Sequence, residues 1–249
     1  MQLENKISNW LNDYLIKNKL KSFVIGISGG IDSAVTSTLC AMTKQKTIVV
    51  TMPIHQNQDE TIRGRKHIDW MQNKFKDVEG YNIDLTIAYE TMKKTIPSNF
   101  HSDLALANTR ARLRMSTLYM LAGSSIGLVV GTGNKIEDFG VGFFTKYGDG
   151  GVDISPIADL MKSEVYLLAK SMGINNDIIN AAPTDGLWHD ERTDEDQLGV
   201  TYDELEWAMN YDGAKEINQK EKDILDIYFK HRKTNIHKMK PIPIYKKET

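Results

Sequence analysis

The segment that most constrains the fold is residues 23–33, with the sequence FVIGISGGIDS. Its first half is apolar and contains β-branched residues, which favours a buried strand. Apolar side chains then recur at helical spacing and predict a helix over residues 32–42. Only four residues, 28–31 (SGGI), separate the two patterns, so the strand must turn almost at once into the helix. This junction is typical of a parallel α/β sheet.

The same alternation of strands and helices continues along the chain. Further strands are predicted over residues 47–52, 82–88 and 128–131, and further helices over residues 3–16, 61–75, 103–124 and 162–172. This order predicts a Rossmann-like, three-layer, doubly wound parallel sheet with helices on both faces. Ligands of such sheets bind beyond the carboxyl ends of the strands. Those ends are polar or glycine-rich here, at residues 28–33, 52–58 and 131–137.

The last third of the chain indicates a helical appendage. Helices are predicted over residues 202–211 and 215–231, after a long polar loop over residues 180–199. Residues 233–249 are basic and contain proline, so an extended tail is expected. We therefore predict a single domain over residues 1–249. Its core would span about 20–175, and its helical and extended C-terminal part about 176–249.

The overall composition limits the class of protein. The chain has 249 residues, of which 41% are hydrophobic and 26% charged, as in globular proteins with a sizeable core. A net charge of −2 argues against nucleic-acid binding through a broad basic face. No apolar stretch approaches the ~20 residues of a membrane span, and signal-peptide features are not expected at the N-terminus. The single cysteine, Cys40, permits no internal disulfide, so a cytoplasmic setting is expected.

The junction between the first strand and its helix has the composition of a phosphate-binding loop. Gly29 and Gly30 let backbone N–H groups approach an anion, and the helix N-terminus adds further free N–H groups. The loop has no lysine, so it is not a Walker A loop, and it does not match the GxGxxG dinucleotide fingerprint. It carries Asp32 instead. A carboxylate beside a polyphosphate requires a bridging divalent cation, which predicts Mg²⁺.

This loop resembles the pyrophosphate-binding signature of the ATP pyrophosphatase families, which include NAD synthetases, GMP synthetases and several tRNA thiolases. Residues 143–153, FFTKYGDGGVD, resemble a longer loop that is typical of NAD synthetases. The similarity extends from about residue 26 to residue 238. It implies ATP-dependent amidation of deamido-NAD with ammonia, through an adenylated intermediate, with release of AMP and pyrophosphate. A GMP synthetase, a tRNA thiolase and a non-catalytic nucleotide-binding protein are the alternatives.

The resemblance also implies roles for individual residues. For ATP it implies the loop residues Gly26, Ile27, Ser28, Gly29, Gly30, Ile31, Asp32 and Ser33, together with Thr132, Lys162 and Thr184. For deamido-NAD it implies Arg112, Lys146, Asp153, His237 and Lys238. Magnesium would be bound by Asp32 and Glu137, and Asp32 and Lys162 would also take part in catalysis.

One segment departs from the family pattern. Residues 133–142, GNKIEDFGVG, differ from the commoner bacterial form, which has aspartate and histidine after the threonine. The spacing from Glu137 to Phe143 is also shifted by one residue. Asp138 is therefore an alternative metal ligand to Glu137, and we prefer Glu137.

Amide formation requires neutral ammonia. We predict that Asp149 takes a proton from ammonium as a general base, the alternative being a turn aspartate that bonds its own backbone. A glutamine-dependent enzyme needs a nucleophilic cysteine. Cys40 lies among apolar residues of a predicted helix and is expected in the core. Free ammonia is therefore the expected nitrogen donor, unless a separate amidase partner supplies it.

Two further expectations concern packing. Residues 118–122 of the long helix are apolar nearly all round, which predicts burial on more than one side. A homodimer interface, as the family resemblance implies, and a central core helix are the two alternatives. In the polar loop, Trp188 either packs over the site or has a plain packing role.

Overall fold

The computed structural model describes residues 2–184, 186–187 and 192–247, so Trp188 lies outside the described residues. The first half contains, in chain order, α1 (Leu3–Lys17), β1 (Ser22–Gly26), α2 (Ile31–Met42), β2 (Lys46–Thr51), α3 (Gln58–Lys74), β3 (Val78–Asn82), α4 (Thr86–Thr95), a 3₁₀ turn (Ser98–Phe100) and α5 (Asp103–Ser125). The second half contains β4 (Gly127–Val129), a π-helix (Lys135–Val141), α6 (Lys162–Met172), α7 (Asn176–Ile179), α8 (Asp194–Leu198), α9 (Tyr202–Asn210) and α10 (Gln219–Met239).

The four strands form one parallel sheet in the order β3-β2-β1-β4. The chain winds outward from β1 to β3 and then returns to place β4 on the other side of β1. The loops after β1 and β4 therefore diverge, which creates a crevice at the carboxyl ends of these two strands. This arrangement confirms the predicted Rossmann-like sheet.

The alternating side chains of β1 explain why helices cover both faces of the sheet. Phe23 and Ile25 point into the main apolar core, which they share with residues of α1, α2, α3 and α6. Val24 points the other way, into a smaller cluster with Leu118 and Ala122 of α5. Successive residues of a strand face opposite sides, so a strand that is apolar throughout requires cover on both.

The face of α5 opposite the sheet is exposed in the chain. Ala122 is buried against β1, whereas Tyr119 is 36% exposed and Met120 is 72% exposed. The segment is thus buried on one side only, and the alternative of a central core helix is wrong. None of the described helices is long and apolar enough to cross a membrane.

The third strand was predicted in the wrong place. Residues 82–88 alternate apolar and polar side chains, but most of this segment leads into α4, whose first residue, Thr86, donates its backbone N–H to Asp84 Oδ1 at 2.8 Å. The actual β3 is an edge strand, and Val78 is its one buried residue. An edge strand of this kind carries almost no apolar signal.

The C-terminal part also differs from the prediction. The region predicted to be a polar loop contains the short helix α8, and α10 continues to Met239, although its last turns were expected to be extended. Side chains of α10 hold these turns against the π-helix, since Asn235 Nδ2 donates to Val141 O at 3.0 Å. The π-helix, α9 and α10 share a separate apolar cluster that includes Ile136, Leu205 and Tyr228.

Candidate active site

An open pocket of about 890 Å³ lies over the carboxyl ends of β1 and β4. Its wall includes most of the residues that the sequence predicted for the site. From the ATP set these are Gly26, Ile27, Ser28, Gly30, Ile31, Asp32, Ser33, Thr132, Lys162 and Thr184. From the other sets they are Arg112, Lys146, His237, Lys238, Glu137, Asp138 and Asp149. Gly29 and Asp153 do not line it.

The loop between β1 and α2 is shaped by its own hydroxyl groups. Gly30 N donates to Ser28 Oγ at 3.1 Å, and Ser33 Oγ donates to Gly30 O at 2.9 Å. The two hydroxyl oxygens lie 3.1 Å apart. Gly29 has a φ of +89° and packs against the backbone carbonyl of Glu60, where a Cβ atom would collide. Glycine is therefore required at residue 29 for both conformation and space.

A buried lysine lies between two carboxylates beside this loop. Lys162, at the first position of α6, is 2% exposed, and its Nζ lies 2.5 Å from Asp32 Oδ2 and 2.9 Å from Glu137 Oε1. Burial acts against the ammonium, but the two carboxylates outweigh it and raise the pKa of Lys162 above its usual value. Lys162 is therefore a cation at neutral pH, and it holds two acidic groups from distant segments together.

Asn134 was missed by sequence analysis, although it bonds the carboxylate of Asp32 and the backbone of Glu137. It is fully buried, and its Oδ1 accepts bonds from the backbone N–H groups of Ile136 and Glu137, both at 3.0 Å. Its Nδ2 donates to Asp32 Oδ1 at 3.2 Å. Asparagine before a helix is a common cap, and this preference was the signal available in the sequence.

The segment that departs from the family pattern forms the π-helix over residues 135–141. A π-helix fits one more residue into a turn than an α-helix does. The carboxylate of Glu137 is directed toward Lys162 and Asp32, whereas that of Asp138 packs against Gly133, where a Cβ atom would collide with it. Burial, reinforced by the charge of Asp149, raises the pKa of Asp138 well above its usual value. The structure therefore brings Glu137, rather than Asp138, next to Asp32.

Tyr202 is the second residue that sequence analysis missed. It is the first residue of α9, is 6% exposed, and donates its hydroxyl to Glu137 Oε1 at 2.6 Å. Burial acts against ionised Glu137, but the charge of Lys162 and the Tyr202 hydrogen bond lower its pKa. Tyrosine at the start of a helix carries no distinctive sequence signal.

Basic residues from three segments meet at the other end of the pocket. Arg112 Nη2 of α5 donates to Lys146 O at 3.3 Å, and Lys146 Nζ donates to His237 O of α10 at 3.3 Å. Lys238 Nζ donates to Phe144 O at 2.7 Å. Four of the five residues predicted for deamido-NAD are thus brought together.

Asp153, the fifth residue of that set, lies elsewhere. Its Oδ2 accepts a bond from the backbone N–H of Val129 at 2.8 Å, and its Oδ1 accepts from the hydroxyl of Tyr119 at 2.9 Å. It therefore sits beside the exposed face of α5, outside the pocket of this chain.

Asp149 and Thr184 both line the pocket, and each also accepts a hydrogen bond from the backbone of its own loop. Asp149 Oδ1 accepts from the backbone N–H of Thr145 at 3.0 Å, as expected for a turn aspartate. Thr184 Oγ1 accepts from the backbone N–H of Gly186 at 3.1 Å. Arg110 of α5 contacts the loop that contains Thr184, since its Nη2 donates to Leu187 O at 2.7 Å.

A parallel sheet with a phosphate loop at its topological switch point defines the class of Rossmann-like nucleotide-binding proteins. Within this class, the chain belongs to the NAD synthase family, whose model matches residues 3–248. A relative from Mesoplasma florum, described as an NH(3)-dependent NAD(+) synthetase, is 40% identical over 237 residues, which cover 91% of this chain and 90% of the relative. The family match favours an NAD synthetase over a GMP synthetase or a tRNA thiolase.

Solved structures extend the comparison. The structure of an NMN synthetase from Francisella tularensis is 34% identical, has a TM-score of 0.86, and covers 98% of this chain and 97% of that one. An NH3-dependent NAD synthetase from Campylobacter jejuni, solved with a nitrate ion, is 24% identical with a TM-score of 0.80 over 99% of this chain and 100% of that one. The second likeness supports the fold alone.

Proposed function

We propose that this chain catalyses the ATP-dependent amidation of deamido-NAD with ammonia, giving NAD, AMP and pyrophosphate. The observation that carries the proposal is the placement of three groups in one pocket: the phosphate loop, the lysine-bridged carboxylate pair, and the basic end formed by α5, residues 144–146 and α10. The first two suit a nucleoside triphosphate. The third suits a second substrate that carries a pyrophosphate and a carboxylate.

The donor groups of Asp32 and Glu137 fit a magnesium ion. Both are carboxylate oxygens, the ligands that Mg²⁺ prefers, and both already face a cation in the form of the Lys162 ammonium. We assign the metal role to this pair, with Asp138 left out because its carboxylate packs against Gly133. The chemistry that Mg²⁺ supplies when bound is neutralisation of charge on the departing pyrophosphate.

The chain's own groups account for the remaining requirements. Backbone N–H groups of the loop and of the first turn of α2 bind phosphate oxygens, and Lys162 supplies the cation that the loop lacks. The basic end holds the acceptor so that its carboxylate meets the α-phosphorus. Asp149 lines the same pocket, and we propose it as the general base for ammonium. Its Oδ1 accepts the turn bond from Thr145 N, and this bond does not involve Oδ2.

Ammonia is our proposed nitrogen donor. Cys40, the single cysteine of the sequence, is 0% exposed in the main core, and burial raises the pKa of its thiol. A buried thiol of this kind is not a nucleophile for glutamine. A single free thiol also suits the cytoplasm, which is the setting we propose.

The exposed face of α5 supports a homodimer. Met120 is 72% exposed and its neighbour Tyr119 is 36% exposed, and exposed apolar side chains of this kind are typical of interaction sites. Asp153 lies beside it through Tyr119. We propose that two copies pair through this face, which would bring the Asp153 of one copy close to the acceptor site.

The test is product formation from ATP, MgCl₂, deamido-NAD and ammonium, with each component omitted in turn. We expect NAD and AMP in equal amounts, and loss of both in Asp32→Asn. Binding of ATP without NAD at any ammonium concentration would remove the substrate assignment and leave a non-catalytic nucleotide-binding protein.

A second acceptor has support from one observation. The relative described as an NMN synthetase shares 34% identity over nearly the whole chain. Nicotinate mononucleotide carries the same reacting carboxylate without the adenylyl half. The two acceptors should be compared in the same assay, where a higher kcat/KM for the mononucleotide would reassign the substrate but keep the reaction.

A further inference from the structure

The side chain of Tyr202 touches both members of the lysine–glutamate pair from a part of the chain far away in sequence. Its hydroxyl donates to Glu137 Oε1 at 2.6 Å, and its ring centroid lies 4.7 Å from Lys162 Nζ. The hydroxyl also lies 3.3 Å from Asp194 Oδ2. Tyr202 is 6% exposed, so these contacts are screened little by water.

We propose that Tyr202 is a positioning residue that sets the orientation of Glu137 and thereby the affinity of the site for its metal ion. The proposal rests on the proposed function, because it takes Asp32 and Glu137 as the metal ligands. Second-layer partners of this kind commonly orient ligating carboxylates.

The geometry at Glu137 shows how the orientation is set. The two donors, Lys162 Nζ at 2.9 Å and Tyr202 Oη at 2.6 Å, both reach Oε1. Two bonds to one oxygen fix the rotation of the carboxylate, and the second oxygen, Oε2, takes neither of them. Without the tyrosine hydroxyl, Oε1 would keep only its bond from Lys162 Nζ, and the carboxylate could rotate more freely.

Packing alone does not account for a tyrosine at this position. Tyr202 belongs to the apolar cluster formed by the π-helix, α9 and α10, where a phenylalanine ring would fill the same space. A buried hydroxyl is costly unless it is bonded, and the Glu137 carboxylate supplies that bond for Tyr202. Tyr228 lies in the same cluster and is also 6% exposed, which makes it a matched control.

The backbone of Tyr202 is fixed as firmly as its side chain. Its N–H donates to Glu195 Oε1 of α8 at 2.8 Å, and Thr201 caps α9 through Glu204. Helix α9 thus contacts the Glu137 carboxylate through the Tyr202 hydroxyl.

The experiment compares Tyr202→Phe with Tyr228→Phe. Binding of Mn²⁺, which substitutes for Mg²⁺ at oxygen ligands, is measured by electron paramagnetic resonance with a non-hydrolysable ATP analogue. We expect Tyr202→Phe to weaken Mn²⁺ binding by about 10-fold or more, with a similar rise in the Mg²⁺ concentration for half-maximal rate. The rate at saturating Mg²⁺ should fall much less. Tyr228→Phe should leave all three values within about twofold of the parent chain.

A double-mutant cycle tests whether the effect passes through Glu137. In a Glu137→Gln background, Tyr202→Phe should add little further loss of Mn²⁺ affinity. An equal loss in both backgrounds, or parent-like Mn²⁺ affinity in Tyr202→Phe, would overturn the proposal. Because Mn²⁺ binding is measured without turnover, a chain that binds Mn²⁺ through this pair and yet makes no NAD would overturn the proposed function alone.

Discussion

The phosphate loop and the carboxylate cluster face the same pocket, yet they are held in different ways. In the loop, the hydrogen bonds join Ser28, Gly30 and Ser33, which lie within six positions of each other. In the cluster, Lys162 bridges residues 130 and 25 positions away. The loop is neutral apart from its aspartate, whereas the cluster depends on a balance of buried charges.

The two regions of the site therefore obtain their geometry in different ways. The loop obtains its shape from backbone conformation and short side chains, with Gly29 at a φ of +89° that other residues adopt only with strain. The cluster obtains its shape from ions that would each be unfavourable alone in a buried setting. Changes in the loop should therefore act through backbone strain, and changes in the cluster through uncompensated charge.

The largest effect is expected from Lys162→Met, which removes the cation between two carboxylates. We expect the free energy of unfolding to fall by about 3–5 kcal/mol at pH 7.5 and NAD formation to fall at least about 100-fold. Part of the stability should return at pH 5, because the unpaired carboxylates can then take up protons. Urea unfolding at both pH values and initial rates measure these effects. Lys170→Met, on the exposed side of α6, is the control, and a loss below 1 kcal/mol in Lys162→Met would show that the charges do not hold the cluster.

The next effect concerns His67, a buried and uncharged side chain that contacts α2 behind the loop. His67 is 2% exposed and its Nε2 lies 3.1 Å from Ser37 Oγ of α2; burial lowers its pKa from 6.5 to about 4. Because the folded-state pKa is the lower one, this group contributes stability that is present above pH 6.5 and is lost as the pH falls toward 4. The parent chain should therefore lose about 2–3 kcal/mol of its advantage in free energy of unfolding over His67→Gln between pH 7.5 and pH 4.5.

Urea titrations across this pH range measure that advantage. His55→Gln replaces an exposed histidine and serves as the comparison, for which we expect a change below about 1 kcal/mol. If the stability difference between the parent chain and His67→Gln does not change with pH, the buried ring does not resist protonation. His67 would then not contact α2 as a neutral side chain.

A smaller effect is expected from backbone strain in the loop. Gly29→Ala places a Cβ on a residue with a φ of +89° and against the carbonyl of Glu60, so we expect a loss of about 2 kcal/mol in urea unfolding without ligands. Gly30→Ala is the matched control, since Gly30 has a φ of −93° and the nearest atom to its Cβ would be Ser28 Oγ at 3.3 Å. Its loss should be about 1 kcal/mol or less. Equal losses in the two variants would contradict strain at residue 29 as the cause.

The smallest effect is expected from an ion pair outside both regions. Lys66 Nζ lies 3.4 Å from Asp177 Oδ2, and both side chains are more than half exposed. Lys66→Ala should change stability by less than about 0.5 kcal/mol, because water and salt screen such pairs. A loss comparable to that of Lys162→Met would mean that burial is not what distinguishes the cluster.

The part of the fold that could be predicted from sequence is the part with local signals. The strand, loop and helix over residues 23–42 combine an apolar run, two glycines and helical periodicity, and the structure places all three there. Residues 82–88 gave the opposite result, because alternation at Ile83, Leu85 and Ile87 resembles a strand although a helix starts there. The true edge strand buries only Val78.

The site could be predicted where a residue type carries its own chemistry. Asp32 follows two glycines and was singled out by the loop itself, whereas Lys162, at the start of a predicted helix, was implied by the family resemblance. Asn134 and Tyr202 could not be predicted, because their importance depends on which distant carboxylate they meet after folding. His237 was expected in an extended tail but lies on α10, since the basic composition of the last turns hides their contacts with the π-helix.

The π-helix also determines how this sequence should be aligned with others. Because the spacing after Glu137 is shifted by one residue, an alignment to the commoner form of the motif needs a gap, and the position of the gap decides which carboxylate is compared with which. Asn134 caps the first turn and Glu137 is held by Lys162, so the register is fixed up to residue 137. The gap therefore belongs between residues 138 and 142, where the wide turn ends at Gly142. Placed earlier, it would pair Asp138 with the position of Glu137 and record a false substitution.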